Sequence, residues 1–195
     1  TDVSSEKMPY RAKRHYSIVE GDKQHLTFAV KRDVTTDHEG EVSTILHDEL
    51  SEGDSINLSA PVGPFKVSNL SNEQLFLGSG IGITPLVPMF NEVVENGSKA
   101  KFIQVINDVN DIPFESLITE IADKNENADY QLYDKNEQGY LDKEKLKAYI
   151  NEETEIYICG GTHFLKSIIE ALKELNVDSS KIHYETFIPK LSVNV

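Results

Sequence analysis

The spacing of apolar and polar residues changes once along the chain, near Glu73. Before that point it favours β-structure. Arg14–Val19 and His25–Arg32 alternate with period two, and Gly21-Asp22 between them is a hairpin turn signal. Asp54–Ala60 and Phe65–Val67 read as further short strands, parted by Pro61, Gly63 and Pro64. Ile45, Leu46 and Leu50 lie at helical spacing, so Ser43–Glu49 is predicted as a short helix with Ser43 at its cap.

From Glu73 onward strands alternate with helices. Gln74–Leu77, Lys101–Ile106, Asp129–Tyr133, Glu155–Cys159 and Ile182–Phe187 are predicted strands. Thr84–Glu95, Phe114–Ala122, Asp142–Tyr149 and Phe164–Leu175 are predicted helices. Alternation of this kind implies right-handed crossovers and a parallel, doubly wound sheet. The expected division is therefore a β-domain over 1–70 and an α/β domain over 71–195, joined by Ser68–Glu73. A β-domain of three or four strands leaves open edges. The expectation follows that more of the domain precedes Thr1.

Composition narrows the classes. The 195 residues include 33 Asp+Glu and 19 Lys+Arg, a formal net charge of −14, which argues against broad nucleic-acid binding. Residues 1–32 nevertheless hold seven of the basic residues and only four acidic ones. From charge alone that local excess reads first as a solvated strand edge guarded by Lys and Arg, and second as a site for a small anion. No apolar run approaches the roughly 18 residues of a membrane span. The single Cys rules out an internal disulfide framework, in keeping with a cytoplasmic protein that does not act at a membrane.

The strongest chemical signal is Leu75-Phe76-Leu77-Gly78-Ser79-Gly80-Ile81-Gly82-Ile83-Thr84-Pro85, an apolar strand entering a Gly-rich turn and a helix. Thr84 is placed as the helix cap and Pro85 as the first helical residue. Glycines admit a pyrophosphate close to the backbone, and the helix start offers free N–H groups. The spacing Gly80-x-Gly82-x-x-Pro85 matches neither the dinucleotide fingerprint nor a Walker loop. A ligand-free strand–helix turn is the alternative. A second buried strand, Tyr157-Ile158-Cys159, ends at Gly160-Gly161 and leads to another helix. Strand ends at Gly78 and Gly160 would frame one cleft. Cys159 is then either a small core residue or a neighbour of a redox cofactor.

Arg14-His15-Tyr16-Ser17 offers a cation, an aromatic plane and a hydroxyl on one strand, or an ordinary half-buried strand. His183–Pro189 is an aromatic terminal strand, which reads either as core or as a segment that sets Glu185, beside Phe187, at the mouth of the cleft. Asp134–Asp142 imitates the opening of a calcium loop, but Lys145 occupies the position of its bidentate Glu, so it reads as a polar turn. No His/Cys/Asp cluster has metal-ligand spacing.

In this order the motifs resemble the ferredoxin-reductase-like flavoenzymes, which join an FAD-binding β-barrel to a nicotinamide-nucleotide domain; the resemblance implies that the β-domain here is an N-terminally truncated form of that β-barrel. Those motifs are Arg14-x-Tyr16-Ser17, Gly40-Glu41-Val42-Ser43, Gly80-x-Gly82-x-x-Pro85 and Cys159-Gly160-Gly161. Over nearly the whole chain the likeness is strongest to the reductase part of bacterial flavohaemoproteins. The resemblance implies an NAD(P)H-dependent FAD oxidoreductase. Electrons would pass to a haem globin domain, absent from this chain, in support of nitric oxide dioxygenation to nitrate. Arg14 and its neighbour His15 would meet the FAD pyrophosphate, Tyr16 would pack on the isoalloxazine and Ser17 would bond near its N5. Gly40, Val42 and Ser43 would contact the phosphates. Gly80, Ile81, Gly82, Ile83, Thr84 and Pro85 would cradle NAD(P)H, with Cys159 and Gly160 near the nicotinamide. Thr186, Phe187, Ile188 and Pro189 would cover the flavin, and Glu185 matches a glutamate thought to tune its potential. Ile188 stands where many relatives have Gly. Asp108, at the end of the second α/β strand, leans the nucleotide choice to NADH. Two alternatives remain: a reductase serving another oxygenase through a separate iron–sulfur or haem partner, and a nucleotide- or calcium-binding module without redox chemistry.

Overall fold

Short strands and one short helix make up the N-terminal unit, Thr1–Pro64, of the computed structural model, which describes residues 1–8, 12–34 and 40–187. β1 (Asp2–Ser4) lies between β2 (Arg14–His15) and β5 (Asn57–Leu58), antiparallel to both, and β3 (Ile18–Gly21) pairs with β4 (Leu26–Phe28) as a hairpin. α1 (Glu41–Asp48) intervenes between β4 and β5. The hairpin turn follows its sequence signal: the Asp22 carboxylate accepts from the Gln24 and His25 amides at 2.6 and 2.7 Å. A small core of Met8, Val42 and Ile45 lies against α1, flanked by Ala12 and Leu46.

Several expectations for this unit are corrected. β1 was not foreseen, because three residues with one apolar side chain carry no readable period. The run Arg14–Val19 divides between two sheets. Tyr16 exchanges backbone hydrogen bonds with Thr1, and from Ile18 the chain turns to β4 instead. Asp54–Ala60 shortens to β5, since Asp54 closes a turn on Ser51. Phe65–Val67, just beyond this unit, forms no strand. α1 begins at Glu41, and Ser43 is inside it; the Ser43 hydroxyl donates to the Gly40 carbonyl and accepts from the Asp33 amide rather than capping.

The second unit, Phe65–Val195, is built on a five-stranded parallel sheet. Its strands are β6 (Gln74–Ser79), β7 (Ala100–Ile106), β8 (Ala128–Asp134), β9 (Glu155–Gly160) and β10 (Ile182–Thr186), in the spatial order β10-β9-β6-β7-β8. The helices are α2 (Ile83–Glu95), α3 (Glu115–Asp123), α4 (Lys135–Gln138), α5 (Lys143–Leu146) and α6 (Thr162–Glu174). The chain order reverses between β6 and β9, which places the topological switch point there.

Period-two alternation sends two kinds of side chain to the two faces. One face is aliphatic: Leu75, Leu77, Ile103, Val105, Ile156 and Ile158 join Leu146, Leu165, Ile168 and Leu172 from α5 and α6. The other presents one ring per strand. Tyr130, Phe102, Phe76, Tyr157 and His183 follow one another in ladder register, with centroids 6.1, 6.1, 5.3 and 4.7 Å apart. Phe90 of α2 closes over this row edge-on to Phe76 and Phe102. Tyr157 is fully buried, and its hydroxyl bonds the Ser68 amide and Oγ at 2.9 Å, while His183 Nε2 lies 2.8 Å from Glu155. Phe65 meets Tyr157 edge-on. Residues 65–68 thus use side chains and one amide, not a ladder, to hold the sheet.

Candidate functional site

Two glycine-bearing strand ends meet at the switch point. Gly78 on β6 stands beside Cys159 on β9 in the ladder. The chain leaves β6 through a 3-10 turn, Gly80–Gly82, and continues directly into α2. Gly80 has φ of 56°, the left-handed region that glycine enters freely, and a side chain there would meet open space. Gly82 answers a different need. A Cβ on it would fall 2.5 Å from both the Cys159 carbonyl and the Gly160 amide. The α2 start is therefore seated on the β9 end with no room for a methyl group.

The cap expected at Thr84 is corrected: the cap is Gly82, two residues earlier, α2 starts at Ile83, and Thr84 is a buried first-turn residue whose hydroxyl donates to the Ile81 carbonyl at 2.9 Å. Pro85 falls within that first turn, where a missing N–H costs no helical bond. Ile83 is buried under the turn and Ile81 is half-buried.

Cys159 is fully buried, and burial, reinforced by the Glu185 carboxylate, pushes its thiol up out of the range of a nucleophile. Glu185 stands opposite Cys159 on β10, half-buried, and burial pushes its carboxyl up as well. Thr186 pairs with Gly160, and Phe187 is exposed just beyond β10. Ile188 and Pro189 lie outside the described residues. Within the second unit the structure thus brings Gly80–Pro85, Cys159–Gly160, Glu185 and Thr186 to adjacent strand ends. Asp108 is on the other side of β6, just past β7, exposed and held ionised by the Asn110 amide and side chain, which lower its carboxyl.

The first unit holds the remaining expected residues. Arg14 is exposed and donates to the Lys13 carbonyl at 2.9 Å. Tyr16 stacks on Phe28 with centroids 5.9 Å apart, and burial raises its phenol, an effect that Arg14 opposes. His15 Nδ1 faces Asp2 at 2.8 Å, and Ser17 is half-buried. Gly40 caps α1, Val42 is in its core, and the Ser43 hydroxyl is engaged within the chain.

One residue of the α/β site escaped the sequence reading. Gln104 sits beside Gly78 in the ladder and is completely buried. The signal was a lone amide inside the apolar run Phe102-Ile103-Gln104-Val105-Ile106.

Known proteins give a consistent frame. Residues 76–170 match the family model described as oxidoreductase NAD-binding domain. A flavohemoprotein of Bacillus cereus is 30% identical over 209 residues, covering 98% of this chain and 52% of that protein. The chain spans about half the length of the curated relatives it matches. Among solved structures, the flavohem-like FAD/NAD-binding domain of a nitric oxide dioxygenase from Vibrio cholerae superposes with a TM-score of 0.81 at 24% identity, covering 95% of this chain and 81% of that one. A flavohemoglobin from Malassezia yamatoensis, solved with FAD and heme, gives 0.81 at 18% identity, covering 96% and 50%. The fold is ferredoxin-reductase-like, and the two antiparallel sheets of the first unit represent part of its barrel. No helix of the described residues is long and apolar enough to cross a membrane.

Proposed function

Because this chain carries an oxidoreductase NAD-binding domain and is a homologue of the reductase part of flavohemoproteins, we propose that it is an NAD(P)H-dependent FAD oxidoreductase module. The observation that carries this reading is the contact of Gly82 with the Cys159–Gly160 peptide at the sheet's switch point. It leaves a Gly-rich turn and a helix start at the strand ends, where open α/β sheets take dinucleotides. The open space beside Gly80 fits the approach of a phosphate to the backbone.

FAD, when bound, accepts two electrons from a reduced nicotinamide and releases them singly. This chain's residues bind and orient. Gly80–Pro85 cradle the nucleotide, and Cys159 and Gly160 border its nicotinamide end. The Cys159 thiol stays protonated and adds no competing charge or nucleophile. Arg14 and the α1 start, Gly40 to Ser43, supply positive charge and amides for FAD phosphates, with Tyr16 and Ser17 at the ring. Glu185 stands by Cys159 as the group that tunes the flavin, and Thr186 and Phe187 cover it. Asp108 disfavours a 2′-phosphate, so NADH is the preferred donor. The acceptor is a haem globin domain, and the process served is conversion of nitric oxide to nitrate in the cytoplasm.

The test is steady-state oxidation of NADH by the FAD-loaded chain with ferricyanide as one-electron acceptor. NADH should exceed NADPH in kcat/KM. Gly82→Ala should lose about tenfold or more in kcat/KM for NADH, because the α2 start must move off the β9 end. Full activity in Gly82→Ala would remove the switch point from the site.

A further inference from the structure

We propose that Gln104 is a positioning residue of the nucleotide site, fixing the Asn107–Phe114 loop that follows β7. The proposal rests on the nucleotide-binding reading above and adds to it the part of the site that holds the adenosine end.

Both ends of the Gln104 amide are committed. Its Oε1 accepts from the Tyr130 hydroxyl at 2.7 Å, and its Nε2 donates to the Pro113 carbonyl at 3.0 Å. A fully buried amide with both ends satisfied has one orientation only. Tyr130 sets that orientation from the neighbouring strand, so the Nε2 end of the amide faces Pro113. The next residue, Phe114, has φ of 58°, a left-handed conformation that a bulky side chain holds only when its surroundings impose it. A pinned Pro113 carbonyl is such a constraint.

The loop is held at its other end too. Asn136, just after β8, donates from Nδ2 to the Asn107 carbonyl at 2.5 Å. Between these anchors the loop folds on itself. Asp108 Oδ1 accepts from the Asn110 amide and side chain at 2.9 Å each, and the Asp111 amide donates back to the Asp108 carbonyl at 3.2 Å. The loop presents Asn107, Asp108, Val109, Asn110 and Asp111 to solvent, with Val109 61% exposed beside the Asp108 carboxylate. A carboxylate oxygen beside an exposed aliphatic side chain suits a ribose diol next to a flat base. A dinucleotide with its pyrophosphate at the α2 start reaches the end of β7, the strand next to β6. Gln104 touches none of this directly. It acts by holding the loop in the shape that meets the nucleotide, so binding needs no further ordering.

The experiment compares wild type, Gln104→Met and Tyr130→Phe as FAD-loaded chains. Two readouts are taken: KM and kcat for NADH with ferricyanide, and amide hydrogen exchange over 107–114 without nucleotide. Gln104→Met keeps the volume and removes both hydrogen bonds. It should raise KM about fivefold or more, the worth of roughly 1 kcal/mol of lost preorganisation, with kcat within about twofold. Exchange over 107–114 should quicken while the β6 and β9 amides keep their protection. Tyr130→Phe, which leaves the Pro113 bond, should move both readouts the same way by less, and it serves alone if Gln104→Met does not fold. Unchanged exchange over 107–114 in the folded variants would overturn the clamp. Quickened exchange with unchanged KM, or a fall in kcat matching the rise in KM, would overturn its role in positioning nucleotide. A wild-type chain that oxidises no NADH would instead remove the nucleotide reading itself, leaving the exchange result to judge the clamp.

Discussion

The two units of this chain are held together by different means. The second has strands of five to seven residues and buried side chains on both faces of its sheet. The first has strands of two to four residues, most of them partly exposed, around a small core at α1. It is tied by polar side-chain contacts between distant parts of the unit instead. Lys7 bridges Asp54 and the Glu49 carbonyl, Arg32 forks onto Asp48, His47 bonds the Val30 carbonyl, and Thr1 bonds Ser59. Apolar burial is strong and indifferent to pH and salt, whereas exposed ion pairs are weak and sensitive to both. The α/β unit therefore supplies a rigid nucleotide platform, and the β-unit is the part whose order depends on conditions.

The largest effect should come from Phe76→Ala. Phe76 is fully buried at the centre of the ring row, touching Phe90, Phe102 and Tyr157. Its loss should cost about 3–5 kcal/mol in urea unfolding of the α/β unit. Val42→Ala in the smaller core should cost the β-unit about 2 kcal/mol or less. Equal losses would erase the contrast.

A smaller effect is expected from Tyr157→Phe. The ring remains, but the Ser68 amide loses its partner and the Ser68 hydroxyl keeps only His183 Nε2 at 3.3 Å. The expected loss is about 1–2 kcal/mol in the same measurement, with faster exchange of the Ser68 amide.

Acid should separate the units most gently. Hydrogen bonds from Arg32 and Lys7 hold the Asp48 and Asp54 carboxyls below their ordinary values. A lowered folded value means the stabilisation is present above the unfolded value, near pH 4. It is lost as pH falls through the lower folded values. Glu185 runs the other way, since a carboxyl raised by burial prefers its protonated form in the folded state. Hydrogen exchange at successively lower pH should therefore show α1 and its surroundings opening while the β6 and β9 amides stay protected. Simultaneous opening would count against the polar-tie account of the first unit.

The same contrast explains what could be read from sequence. β6, β7 and β9 were visible because long apolar runs end at glycines or polar residues, and the doubly wound order follows from their alternation with helices. α2 differed only at its start, because the 3-10 turn Gly80–Gly82 runs straight into it, which no capping rule foretells. At the start of the second unit, Phe65–Val67 has the composition of a strand but spends its aromatic ring on Tyr157. β1 has one buried valine and gains its place only from partners at residues 14–15 and 57–58. The meeting of Gly82 with the Cys159–Gly160 peptide joins residues far apart in sequence, and spacing alone gave only two separate glycine signals. Gln104 was visible as an interruption, but its meaning depends on Tyr130 and Pro113, which only the folded chain brings to it.

The most direct test is an anaerobic absorbance spectrum of the chain with one equivalent of FAD, recorded before and after NADH. The account predicts a flavin band perturbed by the protein that bleaches on adding NADH. A flavin spectrum identical to free FAD and unchanged by NADH would contradict it.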